Sequence, residues 1–271
     1  MENKHNITVA VATHNGTFHA DEITAIALIY VFLEVNVKVS RMTHQSTKFD
    51  SFDYVVDVGR EFDDVKRFDH HQWKGGQSSA GLIWEHVISN LQLDEYPEIS
   101  DLIELVDAVD VGRCKAKDHE YPALVSMFNY DEPYQEAQLA QFHKAIDFAI
   151  NTITALKRKR DLINTNSAII DGYIANNIHD RILKFEQFVP FWSYAVNANN
   201  NEEFMYVYWF NDQGTWSAQV VPLTHESNEF HGPAFQPDSD MEFVHANGFY
   251  CVSNTEEQMV EYLLNNLKGS E

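Results

Sequence analysis

The strongest constraint on this chain is a set of apolar runs near its start, two of which end on a side chain able to bind a cation. Ile7 to Thr13 is a compact apolar run that stops at His14-Asn15-Gly16. Ala20 to Glu34 then carries apolar residues at 23, 26, 27, 30 and 33, which is helical spacing. Val35 to Val39 alternates as a strand does, and Phe52 to Val58 is a third apolar strand containing Asp57 just before Gly59. Strand, helix, strand, strand predicts an α/β unit with a parallel sheet. In such sheets ligands bind beyond the carboxyl ends of the strands, which is where His14 and Asp57 fall.

Helical spacing continues over Ala80–Leu91 and Ile99–Val111, and then from Leu139 through Lys157-Arg158-Lys159-Arg160 toward Ile178. Aromatic and β-branched residues dominate afterwards. Phe191–Tyr194, Phe204–Phe210 and Thr215–Val221 are predicted strands. A closing helix is predicted over Thr255–Leu267, with Thr255 as its N-cap. The expected organisation is a catalytic domain over residues 1–132, a helical connector over 133–185, and a smaller α+β domain over 186–271.

Charge and histidine content narrow the chemistry. Nineteen Lys and Arg against 41 Asp and Glu give a net charge of −22, which opposes a broad basic surface for long duplex DNA. Thirteen histidines beside that stock of carboxylates supply the side chains that divalent cations use. Cys114 and Cys251 are too far apart for a CxxC zinc site. The apolar run Ile23–Leu33 is too short to span a bilayer, and the opening residues lack the pattern of a secretory leader. A cytoplasmic protein with no membrane partner is expected.

Four clusters carry the candidate chemistry: His14-x4-His19-x-Asp21-Glu22, Asp57, Asp69-His70-His71, and Asp107-x-x-Asp110. Taken singly, each has a plainer reading as a turn, a strand end or a solvated helix face. Their joint order on an α/β pattern points to a two-metal hydrolase centre. A carboxylate at a rigid strand end, such as Asp57, is placed to bridge two ions about 3.5–4 Å apart. Adjacent histidines can divide their roles between ion and substrate.

The ordered set HxxxxHxD, D, DHH, D resembles the DHH phosphoesterase superfamily. More closely, the chain is similar to the Myg (melanocyte-proliferating-gene) family, described as metal-dependent hydrolases and, for some members, 3′–5′ exonucleases on RNA. The likeness runs nearly end to end. It rests on Thr13–Glu22, Val56–Gly59, Arg67–Gln72, Ser78–Leu82 and Val106–Asp110, and resumes at Trp216–Pro222 and Phe243–Phe249.

This resemblance implies a DHH-type parallel-sheet N-terminal domain and roles for individual residues. His14, His19 and Asp57 would hold one ion. Asp21, Asp57, His70 and Asp107 would hold the other, with Asp107 preferred to Asp110. Asp69 would orient His70, and His71 would face the substrate phosphate. Glu22 would be a supporting group or proton acceptor, and Asp110 the alternative ligand. Ser78 and Ser79 at a helix start would bind phosphate, Ser79 otherwise being a simple N-cap. His245, Asn247 and Gly248 would lie on a substrate-facing turn, a plain hairpin being the alternative. Ser217 and His231 stand where relatives are expected to carry Arg.

The expected ions are two, Mn²⁺ first, with Mg²⁺, Co²⁺, Fe²⁺ or Zn²⁺ as alternatives. The expected activity is hydrolysis of RNA or short oligonucleotides from the 3′ end by a metal-activated water. A small-phosphate hydrolase acting on pyrophosphate or a nucleotide is the alternative. A metal-binding protein without turnover is a third reading, opposed by the complete ligand set. A homo-oligomer is compatible with the sequence.

Overall fold

A computed structural model describes residues 6–43, 45–46, 48–93, 95–129, 135–177, 181–198 and 204–268. The chain divides into two compact units, Met1–Arg158 and Lys159–Glu271. The expected domain edge at 132/133 and the far end of the helix near Ile178 lie outside the described residues. A single helix, α5 (Gln135–Ala175), occupies most of the segment read as a connector. Among the described residues no helix is long and apolar enough to cross a membrane.

The N-terminal unit is built on a parallel four-stranded sheet in the order β2-β1-β3-β4. Its strands are β1 (Thr8–His14), β2 (Asn36–Met42), β3 (Tyr54–Val56) and β4 (Arg67–Phe68). Strand β1 pairs with β2 over seven residues, Thr8↔Asn36 to His14↔Met42. On its other side β1 pairs with β3 at only Val11↔Tyr54 and Ala12↔Val55. The chain thus leaves β1 toward one neighbour and returns on the opposite side, and the crevice at that reversal lies at the carboxyl ends of β1 and β3.

Helix α1 (Ala20–Phe32) is buried from Ala20 to Ile29 with no solvent-facing stripe. This follows from its apolar composition, because a helix hydrophobic all round must be covered on all sides. It contributes Ile23, Ile26, Leu28 and Ile29 to a core shared with α2 (Ser79–Leu91), α3 (Pro97–Asp110), α4 (Tyr121–Ser126) and the first half of α5. Third-strand pairing is shorter than expected because Asp57 leaves the extended conformation at φ 55°.

The C-terminal unit carries a five-stranded sheet in the order β5-β6-β7-β9-β8. These are β5 (Ile182–Phe185), β6 (Tyr206–Phe210), β7 (Trp216–Val220), β8 (Phe243–Val244) and β9 (Tyr250–Ser253). Alternate residues of β6 serve opposite faces. Val207 and Trp209 pack with α6 (Trp192–Ala198), whereas Tyr206 and Tyr208 share a core with Met259, Tyr262 and Leu263 of α7 (Glu256–Lys268). The Thr255 hydroxyl accepts the Gln258 N–H at 3.2 Å and so caps α7 as expected.

One strand assignment is corrected. Phe191–Tyr194 is not a strand; Trp192 to Ala198 form α6. Trp192, Ala195 and Val196 are its buried residues, an i, i+3, i+4 set, and the Trp192 indole N–H donates to Gln219 at 3.1 Å. Aromatic content alone suggested a strand, and tertiary burial at helical spacing overrides it.

At Ala246-Asn247-Gly248 the chain makes the hairpin turn between β8 and β9. Gly248 has φ 66°, and a Cβ there would come within 2.7 Å of the Phe235 carbonyl oxygen. Gly248→Ala is therefore strained both in conformation and in space. A loss of about 1–3 kcal/mol is expected, read as a lower urea midpoint with an unchanged slope.

Candidate metal centre

The carboxyl ends of β1, β3 and β4 and the amino end of α1 converge on one patch of the N-terminal unit. Each element delivers its side chain for a local reason. His14 closes β1, and its Nδ1 lies 2.9 Å from the Asn15 carbonyl oxygen, which fixes Nδ1 as the protonated nitrogen and leaves Nε2 facing the crevice. The Glu22 carboxylate accepts the His19 N–H at 3.0 Å, tying the first turn of α1 to its cap. Arg41 on β2 donates to the Gly16 carbonyl at 2.6 Å, and its guanidinium lies 4.4 Å from the centre of the Phe142 ring. The Asn129 side-chain amide makes two bonds to the Phe18 backbone, at 2.5 and 3.0 Å. The loop carrying His19 is thus held from both sides.

Two groups of ligand atoms meet at Asp57. His14 Nε2 lies 3.0 Å from Glu22 Oε1 and 3.3 Å from Asp57 Oδ2. On the other side Asp57 Oδ1 lies 3.3 Å from His71 Nδ1 and 3.9 Å from His70 Nδ1. Three sets could each hold a cation: His14, His19, Glu22 and Asp57; Asp57, Asp69, His70 and His71; and Asp21, His70 and Asp110. Asp57 is only 2% exposed, yet its Oδ1 accepts no hydrogen bond. A buried carboxylate oxygen without a donor is costly, and a cation satisfies it. The mixed imidazole and carboxylate set fits a divalent first-row ion.

Electrostatics agree with that fit. Burial raises Asp21 well above the usual carboxylate range, and Asp57 and Asp110 add to the rise. Burial also raises Glu22, and its bond to His14 offsets only part of this. Burial works against a charged His14, but Asp57 and Glu22 outweigh it and push the imidazole up to about 11. The protein thus uses a proton on His14 to neutralise acids that a cation would otherwise neutralise.

The structure redistributes several expected roles. Asp110 rather than Asp107 stands beside the candidate ligands: its Oδ2 is 3.0 Å from His70 Nε2. The Asp107 carboxylate accepts the Ser78 N–H at 2.9 Å and the Ser78 hydroxyl at 2.7 Å. A Cβ on Gly81 would overlap that carboxylate, so glycine is what lets Asp107 sit against the start of α2. Asp69 holds His71, at 2.8 Å between Oδ1 and Nδ1, rather than His70, whose Nδ1 is 3.3 Å from the Ser79 hydroxyl. Ser78, not Ser79, is the N-cap of α2. The first N–H groups of that helix do bind an anion, but it is the protein's own: Asp21 accepts from Ser79 at 3.0 Å and from Ala80 at 2.5 Å. Both serines are fully buried, so neither is placed to meet a substrate phosphate.

Glu22 enters the site fully buried. The sequence placed Glu22 in the first cluster as a supporting group or proton acceptor, a position one helix turn after His19 that reads equally well as surface. In the C-terminal unit, the His245 carbonyl accepts the Gly248 N–H at 2.7 Å, and His245 Nδ1 accepts the Asn247 N–H at 3.1 Å. The expected turn residues are thus occupied in shaping the hairpin. A cleft of about 980 Å³ opens over His14, His19, Asp57, His70, His71 and Asp110. It is also lined by Trp73 and Lys74, which sequence reading passed over because nothing in a Gln-Trp-Lys-Gly-Gly loop signals a ligand.

Comparison with known proteins was made on this basis. The MYG1_exonuc family, described as an uncharacterised protein family (UPF0160), matches residues 10–266. A MYG1 protein of Chlamydia muridarum is 36% identical over 160 residues, covering 55% of this chain and 54% of its own. The chain spans about half the length of such chlamydial relatives. A MYG1 protein of Saccharomyces cerevisiae is 24% identical over 316 residues, covering 93% of each chain. A protein named MYG1 exonuclease from Bos taurus is 26% identical over 314 residues, covering 91% of this chain and 81% of its own. Among solved structures, RecJ of Thermus thermophilus in complex with Mn²⁺ aligns with a TM-score of 0.31 at 14% identity, covering 97% of this chain and 52% of that one.

Two outcomes follow from the ionisation of the site. His14, which Asp57 and Glu22 hold protonated, must lose that proton to offer Nε2 as a cation binds. Affinity for Mn²⁺ therefore rises with pH through neutrality, and protons are released. Calorimetry at pH 7 in two buffers of different ionisation enthalpy reads this, and zero release or net uptake contradicts it. Separately, hydrogen bonding to Asp69 raises the His71 imidazole, while burial opposes the rise of the Asp69 carboxyl's acidity less than the His71 and Arg60 donors favour it. In Asp69→Asn the His71 titration, followed by NMR in the metal-free protein, moves to lower pH. His71 stabilises the fold most below its unfolded value, near ~6.5, and that contribution fades as pH rises through its raised folded value.

Proposed function

The chain belongs to the MYG1_exonuc family, and from that premise we propose that it is a divalent-metal-dependent phosphodiester hydrolase, an exonuclease acting on RNA or short oligonucleotides. The observation that carries this reading is the position of Asp57. One buried carboxylate faces His14 through Oδ2 and the Asp69-His70-His71 group through Oδ1. In this reading Asp57 with His14, His19 and Glu22 would hold one ion, and Asp21, His70 and Asp110 would hold a second beside it. Bound ions supply Lewis acidity toward phosphoryl oxygens and hydroxide at neutral pH.

The protein's own groups do the rest. Asp69 fixes the ring of His71, whose side chain is half-exposed on the cleft. His71 is then placed to donate a hydrogen bond to a non-bridging phosphoryl oxygen as charge builds there. Glu22 keeps the α1 cap and the His14 ring in one arrangement. Mn²⁺ is the proposed native ion and the cytoplasm the proposed compartment.

A second reading, hydrolysis of a small phosphate such as pyrophosphate, draws support from one observation. Lys74 is the sole Lys or Arg among the described residues lining the cleft, so little holds a long polyanion there apart from the ions.

The test is a panel of 5′-labelled RNA, single-stranded DNA, dinucleotides and pyrophosphate with Mn²⁺ or Mg²⁺. Stepwise shortening from the 3′ end is expected. Asp57→Asn and His70→Ala should each lower kcat at least about 100-fold. Turnover of pyrophosphate alone would select the second reading. Near-wild-type rates in either variant would reject the centre as drawn.

A further inference from the structure

Trp73 is the large aromatic side chain that lines the cleft over the candidate metal centre. It lies two residues beyond His71, and its N–H bonds back to the His70 carbonyl at 3.2 Å, so its place is set by the same turn that places the two histidines. Trp73 is 40% exposed. Among the described residues its one ring contact is Phe62, edge to face at 5.8 Å, and its indole N–H has no hydrogen-bond partner. Phe62 is itself 39% exposed. The loop then turns through Gly75 at φ 70° and Gly76 at φ 87°, and a Cβ on Gly76 would lie 3.8 Å from the indole nitrogen. Two glycines in this conformation let the chain double back beside the ring. Lys74, next in the chain, lines the same cleft.

An exposed, buttressed indole with a free N–H, on the wall of a cleft whose floor is His and Asp, has one ready use. We propose that Trp73 is the stacking platform for a nucleobase whose phosphate lies at the metal centre, with Lys74 reaching the next phosphate. This deepens the exonuclease reading and rests on it, because it assigns the substrate class. A base is what the indole can recognise, and every base offers a π face. Pyrophosphate and other base-free phosphates have nothing to place there. Trp73 is thus a specificity-determining residue that would favour a nucleotide over a small inorganic phosphate, largely independent of sequence. The cleft volume of about 980 Å³ is at the upper end of what a small-molecule pocket offers and leaves space for a nucleotide beside the ions.

The experiment has a kinetic arm and a binding arm, both on the full chain. In the kinetic arm, Trp73→Ala and Trp73→Phe are compared on a dinucleotide and on the same compound with its terminal base removed. For Trp73→Ala, KM for the dinucleotide should rise about 10-fold, with kcat within about 2-fold. Trp73→Phe should recover most of that loss, and the base-free compound should distinguish neither variant from wild type. Equal KM changes on both compounds, or none, would overturn the assignment.

In the binding arm, AMP is titrated in the presence of Mg²⁺ while tryptophan emission is followed. AMP should quench wild type and not Trp73→Phe, and inorganic phosphate should quench neither. Quenching that persists in Trp73→Phe comes from another of the five tryptophans and overturns the proposal. Loss of quenching without phosphodiester turnover in wild type would keep the base platform and reject the exonuclease reading, so the two failures are distinguishable.

Discussion

The N-terminal unit depends on how it tolerates buried carboxylates. Asp21, Glu22 and Asp57 all lie at or near zero exposure, with Asp57 acting on both of the others, at the point where three strands end and a helix begins. Isolated burial of each charge would cost several kcal/mol. The fold offsets part of that cost with its own donors. The first N–H groups of α2 go to Asp21, and the N–H that caps α1 goes to Glu22. Asp57 is the exception, with one oxygen left facing two imidazoles and no donor. A residue in the left-handed region at φ 55°, holding an unsatisfied charge in the interior, is the kind of strain that persists where function requires it.

The helix dipoles explain why the acids are shared as they are. The amino end of α2 could have held a ligand phosphate, but it instead holds Asp21, whose other contacts run toward His70. That arrangement turns a helix end into a support for a candidate metal ligand. Asp107 does the same one residue earlier through Ser78, and Gly81 gives it the space. The divergence between Asp107 and Asp110 follows from helix geometry. They are three residues apart on α3 and share a face, so the one nearer the helix end reaches His70 while the other reaches α2.

Much of this was legible from residue order. The apolar runs marked β1 and α1, and the placement of His14 and Asp57 at strand ends followed from the parallel pattern. The His and Asp clusters named the residues that assemble. Sequence spacing could not say which of two acids on one helix face would turn inward, because that depends on Ser78 and His70 from distant elements, nor that the local turn would bring Asp69 onto His71 rather than His70. Phe191–Tyr194 misled for a related reason: aromatic content favours strands, whereas Trp192, Ala195 and Val196 bury together only as a helix. Trp73 carried no pattern at all, and only the shape of the cleft brought it forward; Glu22 stood in the first cluster, but its burial under the α1 cap came from the fold.

The asymmetry of the N-terminal sheet bears on how the candidate site holds its shape. Strand β1 is joined to β2 by seven residue pairs, but to β3 by two. His14 and the acids of α1 lie on one side of the β1–β3 seam and Asp57 on the other. Their mutual distances therefore rest on the narrower of the two pairings, and a shift along that seam would part His14 from Asp57 while leaving the β1–β2 ladder intact.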